Sequence, residues 1–306
     1  MKKNLALLIS GIVAMSALTA CGSSKPAETT AAATTAAATT AAATEASTTA
    51  AATEAAAETE AATEAAGEQG ATVTTATGKF TVGFDQEFPP MGFVGDNGEY
   101  TGFDLVLAQE VAKRLGLEYV PQPINWDAKD MELESGNIDC IWNGFTMQGR
   151  EDAYTWVGPY MSNNQVFVVN ADSDIASQTD LAGKAVEVQK DSSGLNAIND
   201  NADLLASLGS LTEVADYNTA LMDLESGACD AVCMDSIVAG YQIKSSGKNM
   251  KILDDTLAAE EYGIGFKKGD DALAQAVKDV LMEMSADGTV EKISNEWFGS
   301  NVFTLK

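Results

Sequence analysis

Between residues 78 and 306 the spacing of apolar positions changes repeatedly. From Phe80 to Phe84 every second side chain is large and apolar, the two-residue period of a strand. From Asp104 to Leu115 the apolar residues fall at helical spacing instead, an amphipathic helix with Arg114 in its last turn. The pair recurs downstream, where Ala185–Gln189 reads as a strand and a helix opens near Ser192 and Ser193. Gln165-Val166-Phe167-Val168-Val169 is an extended apolar run after Pro159-Tyr160, and Tyr262-Gly263-Ile264-Gly265-Phe266 is its expected return partner; both read as connectors. Leu273, Val277, Val280, Leu281 and Met284 then form a helical stripe that stops before Gly288, and a shorter helix ends at Trp297-Phe298-Gly299. This tail is expected to pack back on the first part of the fold.

An internal repeat turns these elements into an architecture. Leu133-Glu134-Ser135-Gly136, then Asp139-Cys140-Ile141, returns as Leu224-Glu225-Ser226-Gly227, then Asp230-Ala231-Val232, with the same two-residue gap before Asp. Each copy ends a helix at Gly and enters a short apolar strand. Two copies predict two similar α/β lobes, and alternation of strand and helix predicts largely parallel sheets, whose ligands sit at strand carboxyl ends. Those ends carry Asp85, Asn143, Asp191 and Asp235.

The N-terminus differs in kind. Met1-Lys2-Lys3 is basic, Leu5 to Leu18 is apolar but short for a span, and Leu18-Thr19-Ala20-Cys21 follows. This reads as a secretory signal over residues 1–20. Residues 21–77 then collapse to Ala, Thr and Glu, too poor in large apolar side chains to offset the entropy of ordering. They read as a tether whose mean reach is about 40 Å.

Composition removes several functions. With 45 acidic residues against 18 basic ones the formal net charge is −27, which disfavours nucleic acid and anionic membrane surfaces as partners. There is no histidine, so His-based triads, His acid–base chemistry and the commonest transition-metal ligand are absent together. Cys140, Cys229 and Cys233 show no metal-site spacing and read as buried apolar thiols, and no cofactor or metal is expected. Of only two arginines, Arg114 is explained by its helix terminus. Arg150 is either a surface partner of Glu151 or Asp152, or a fork for a carboxylate-bearing ligand, a geometry Lys does not offer.

Gly102-Phe103-Asp104-Leu105, Thr146 through Arg150 to Pro159-Tyr160, Val188-Gln189, Asp230-Ala231-Val232 with Asp235, and Tyr262-Gly263-Ile264 with Trp297-Phe298-Gly299 resemble the bacterial extracellular solute-binding proteins of family 3, amino-acid receptors of ABC importers. The resemblance runs in order through residues 79–303. It implies an α/β fold of two Rossmann-like lobes joined by two hinge strands, the type II periplasmic-binding-protein flytrap, with 78–165 plus 263–306 in one lobe and 166–262 in the other. Leu18 to Cys21 similarly resembles the lipobox of bacterial lipoproteins, which implies a lipidated Cys21 and a membrane-anchored protein on the extracytoplasmic face.

Carried over by position, the resemblance implies that Arg150 grips a ligand α-carboxylate beside Thr146 and the backbone around Asn143 and Gly144. Asp235 would take the α-ammonium, and Ser192 and Ser193 would meet the carboxylate at a helix start, their other reading being an ordinary N-cap. A simple N-cap is also open to Asp235. Phe88 and Trp126 would wall the ligand side chain, Trp142 would pack beside them, and Asp85 would read the far end. The implied function is delivery of a polar or cationic amino acid, such as arginine, lysine or glutamine, by a monomeric receptor to an ABC permease. Three departures bear on it: Val106 stands at a usually acidic position, the Thr146–Arg150 segment is one residue short, and Asp191 replaces a glycine close to the ligand carboxylate. Rival readings are a dehydratase-like enzyme on the same fold and a metal-binding lipoprotein built around Asp96-Asn97-Gly98-Glu99, a run that reads as a turn.

Overall fold

A computed structural model of the chain describes Thr75 and residues 77–306; the expected signal segment, Cys21 and all but the end of the expected tether lie outside the described residues. The chain enters through β1 (Lys79–Phe84), a small three-stranded sheet of β2 (Glu87–Phe88), β3 (Gly92–Val94) and β4 (Tyr100–Thr101), helix α1 (Phe103–Leu115) and β5 (Glu118–Pro123). Next come a single 3-10 turn at Trp126–Ala128, α2 (Lys129–Glu134), β6 (Cys140–Thr146) and the long strand β7 (Thr155–Asn170). The second half supplies β8 (Ala185–Gln189), α3 (Ser193–Asp200), α4 (Ala202–Ser207), β9 (Ser210–Val214), α5 (Tyr217–Ser226), β10 (Ala231–Asp235) and α6 (Ser236–Ser246). The long β11 (Met250–Phe266), α7 (Asp271–Ala286) and α8 (Thr289–Phe298) close the chain.

The main sheet has the order β5-β1-β6-β11-β7-β10-β8-β9. Its two flanks repeat one plan, with the first strand of each half between the second and the third, all parallel. The sequence repeat has the same job in both. Gly136 and Gly227 end their helices in left-handed conformation, at φ 76° and 78°. Asp139 then accepts from the Thr81 amide at 2.6 Å and Asp230 from the Ala185 amide at 2.8 Å, so each repeat aspartate secures the start of its lobe's first strand.

The two flanks are joined by β7 and β11, which run antiparallel through the middle of the sheet. The expected partnership of 165–169 with 262–266 is corrected here: Tyr262, Ile264 and Phe266 pair with Met161, Val157 and Thr155, while Gln165 and Val168 pair with Ala258 and Ile252. An antiparallel pair reads in opposite directions, so two apolar runs that both lie at the carboxyl ends of their strands never meet. Each long strand therefore passes through both lobes, the two-strand hinge of a flytrap. The carboxyl-terminal helices pack on α1, where Arg114 binds Glu110 at 3.0 Å and Asp287 at 2.7 Å, so its role extends beyond its own helix. Cys140, Cys229 and Cys233 are buried free thiols, and Asp96 to Glu99 form the turn between β3 and β4.

Candidate ligand-binding cleft

The carboxyl ends of the parallel strands from the two flanks face each other. Phe88, Trp126, Gly144, Thr146 and Arg150 from one side meet Gln189, Ser192, Ser193 and Asp235 from the other around a space of only about 10 Å³. That is room for about one water, so the cleft is closed. Direct bonds cross it: Gln189 donates to Asp85 at 2.6 Å, Thr146 to Ser193 at 3.2 Å, and Lys190 pairs with Asp127 at 2.6 Å.

Arg150 follows a turn in which its amide donates to the Met147 carbonyl at 2.9 Å. Its guanidinium lies 5.1 Å from the Phe145 ring, which is itself edge-on to Trp126. Among the described residues it forms no ion pair with Glu151 or Asp152. Its fork instead touches two neutral acceptors, the Thr146 carbonyl at 3.2 Å and the Asp191 carbonyl at 3.3 Å. A bidentate cation without a counter-ion at the wall of a closed cleft is poised for an anion.

Across the space lies the opposite arrangement. Asp235 ends β10 and precedes α6, but its side chain makes no cap; it accepts from Tyr262 at 2.7 Å, Asn163 at 2.8 Å and Tyr217 at 3.2 Å. Burial first, and then the charge of Glu260, push its carboxyl well above the usual range. Burial keeps Tyr217 and Tyr262 protonated as donors. Ser192 is an ordinary N-cap of α3, accepting from the Leu195 amide at 3.1 Å, whereas the Ser193 hydroxyl faces the cleft and accepts from Thr146 and Gln165.

Several expectations need adjusting. The Gly144 amide is not free for a ligand, because it donates to the buried Asp104 carboxylate at 2.7 Å. Gly144 serves by lacking a Cβ: at φ 57° that atom would stand 3.0 Å from Phe88 and 3.1 Å from Tyr262. Asn143 lies behind the cavity wall, its oxygen accepting from the Asp85 amide at 3.0 Å. Asp85 lines an outer chamber of about 990 Å³ beyond Trp126, where burial raises its carboxyl to about 6. Trp142 packs in the core against Tyr160. Asp191 adopts φ 56° and turns its carboxylate onto Lys129, a cross-cleft partner only 1 % exposed, which balances its charge.

Sequence reading missed Gln189, Tyr217, Tyr262, Asn163 and Glu260. Phe88 and Tyr217 stack across the cleft at 5.8 Å, and Asn163 bridges Asp235 to Glu260. Val188-Gln189 and Tyr262-Gly263-Ile264 stood in the matching motifs, so a signal existed for two of them. None existed for Asn163 or Glu260, which reach Asp235 only across neighbouring strands.

A family model for bacterial extracellular solute-binding proteins, family 3, matches residues 80–300. The chain belongs to that family. It is 31% identical over 228 residues to the L-cystine-binding protein TcyJ of Escherichia coli (strain K12), covering 74% of this chain and 84% of that protein. To the L-cystine-binding protein TcyA of Bacillus subtilis (strain 168) it is 33% identical over 229 residues, covering 74% and 83%. A crystal structure of an ABC uptake transporter substrate binding protein from Streptococcus pneumoniae with bound histidine superposes with a TM-score of 0.72 at 32% identity, covering 75% of this chain and 96% of that one. The family is one of extracytoplasmic receptors of ABC transporters that bind without turnover, and the cleft carries the type II periplasmic-binding-protein architecture.

Proposed function

We propose that this family member is an amino-acid receptor whose ligand is held head-first between Arg150 and Asp235, with its far end toward a cation-favouring chamber. One observation carries the reading: an unneutralised guanidinium and a buried carboxylate face each other across one closed cavity, the complement of a zwitterionic α-amino-acid head. Opposite charges on opposite lobes make the ligand the bridge that stabilises closure. Phe88 and Trp126 are the walls, Thr146 and Ser193 the hydroxyls beside the carboxylate.

The outer chamber supports a choice of ligand class. Asp85, Glu87, Asp127, Glu132, Glu213 and Asp216 line it against Lys190 alone. A distal cation suits this field, whether the guanidinium or ammonium of arginine or lysine, or the second ammonium of cystine, whose second carboxylate suits Lys190. Cystine binding is named for TcyJ and TcyA, which strengthens that member of the class. A thermal-shift and calorimetric screen of the full chain against the standard amino acids and cystine tests the reading. Stabilisation by cystine or basic amino acids supports it; stabilisation by acidic or aliphatic ones alone, or by none, overturns it.

Delivery to an ABC permease follows from the family, and attachment through lipidated Cys21 from the lipobox-like sequence. If Cys21 is the anchor, Cys21→Ser leaves the protein in the soluble fraction of secreting cells; persistence in the membrane fraction refutes it.

A further inference from the structure

Asp235 does not stand alone. Glu260 on β11 and Asp235 on β10 flank β7, opposite Asn163 and Gln165 respectively, and they are only 5 % and 4 % exposed. One nitrogen, Asn163 Nδ2, donates to Asp235 at 2.8 Å and to Glu260 at 2.6 Å. The orientation of that amide is set by its other end, because Asn163 Oδ1 accepts from the Ile237 amide at 3.2 Å and from the Ser236 hydroxyl at 3.0 Å. Gln165 Nε2 also donates to Glu260, at 3.0 Å.

Every donor to the two acids is neutral. From β11 Tyr262 donates to Asp235, from α5 Tyr217, and from β7 the two amides, while the neighbouring Cys233 thiol on β10 is held neutral by burial and turns to Gln165 and Gly194 instead. The N-terminus of α6 adds a partial positive charge, but its Ile237 amide is spent on Asn163. Arg150 lines the far side of the same cavity, with its fork on two carbonyls. Among the described residues neither carboxylate has a Lys or Arg in an ion pair. Two carboxylates close enough to share one amide nitrogen, each 5 % exposed or less, do not both ionise without a cation.

We propose that Asp235 and Glu260 hold a single proton between them in the ligand-free protein, and that the ammonium of an arriving ligand displaces it to solvent. This rests on the reading of Asp235 as the ammonium site. The balance is simple: no covalent bond to carbon changes, one O–H bond breaks, and the proton leaves as the ammonium places its N–H donors on the freed oxygens. Glu260 touches no ligand; it is a positioning residue that acts through Asp235. It also lines a groove with Gln148, Ser162 and Glu261 on the hinge side, which gives the proton a route out when the cleft is shut. Binding is thereby linked to pH, with affinity falling about tenfold per unit as pH drops below the titration of the pair.

Two measurements on the full chain test this separately from the ligand reading. The first needs no ligand: near neutral pH the infrared spectrum of wild-type protein shows a protonated-carboxyl component, beyond the one from Asp104 that both proteins share, that is lost or shifted in Glu260→Gln. The second is calorimetric titration with L-cystine and with L-arginine in buffers of different ionisation heat. It yields close to one proton released per ligand bound in wild type and measurably less in Glu260→Gln, where burial alone raises the Asp235 carboxyl. Identical protonated-carboxyl bands in wild type and Glu260→Gln overturn the shared proton. A band without proton release on binding overturns the displacement. If neither probe binds, the ligand reading fails, and the infrared result still decides the state of the pair.

Discussion

Replacing Arg150 with alanine removes the guanidinium fork and leaves the rest of the cleft standing. In the ligand-free protein the fork makes two long bonds to neutral carbonyls, at 3.2 and 3.3 Å, and a ring contact at 5.1 Å. Loss of those contacts costs about 1–2 kcal/mol at most, a modest fall in melting temperature. With an α-carboxylate in the fork the bonds become charge-assisted, and truncating one side of such a pair costs about 3–5 kcal/mol. At 1.4 kcal/mol per decade the dissociation constant rises roughly 140- to 3,700-fold. A ligand at one hundred times its wild-type dissociation constant stabilises wild type by about 2.7 kcal/mol, and the variant by less than about 0.3 kcal/mol. For a domain of this size those figures are a ligand-induced shift of about 5–10 °C against about 1 °C. Differential scanning fluorimetry reads the shift directly, and calorimetry reads the affinity. Arg150→Lys keeps the charge without the fork and falls between. An Arg150→Ala variant with the wild-type shift and affinity refutes the carboxylate clamp.

Further outcomes are specific to other residues. Asp85→Asn weakens binding of cystine and basic amino acids by about 10- to 100-fold in calorimetry and spares neutral ligands, since it removes one desolvated charge from the distal chamber; equal loss for all ligands contradicts that role. Gly102→Ala lowers stability by about 2–4 kcal/mol in urea unfolding, because at φ 137° a Cβ would sit 2.3 Å from the Met91 carbonyl oxygen; a loss below about 1 kcal/mol counts against the close approach. Burial raises Asp104 to about 7 and Asp85 to about 6, above the ordinary aspartate value, so each destabilises the fold increasingly as pH rises through that interval. These two carboxyls alone make the ligand-free protein more stable at about pH 5 than at about pH 8, by about 2–4 kcal/mol. Glu110, Asp127, Asp180 and Asp287 are held below their usual values, so the stability they contribute is lost only when pH falls into the acid range. A denaturant midpoint that rises steadily from pH 5 to 8 contradicts this balance.

Local sequence determined the elements. Apolar period alone marks β1, α1, β8 and α7, because a half-buried strand and an amphipathic helix impose their spacing on neighbours in the chain. The Leu-Glu-Ser-Gly repeat announced two lobes, since its glycine and aspartate do the same local work in each. Arg150 stood out for a chemical reason, as the one fork in a lysine-supplied chain without a helix terminus to explain it. Tertiary structure decided what local spacing does not encode. Glu260 and Asn163 join Asp235 only because β10, β7 and β11 are hydrogen-bonded side by side, and no interval along the chain records that adjacency. The Gly144 amide was claimed by Asp104, 40 residues earlier, and Asp191 by Lys129, 62 residues earlier. In each case the deciding quantity is the burial of a charge, which obliges it to find a partner in space.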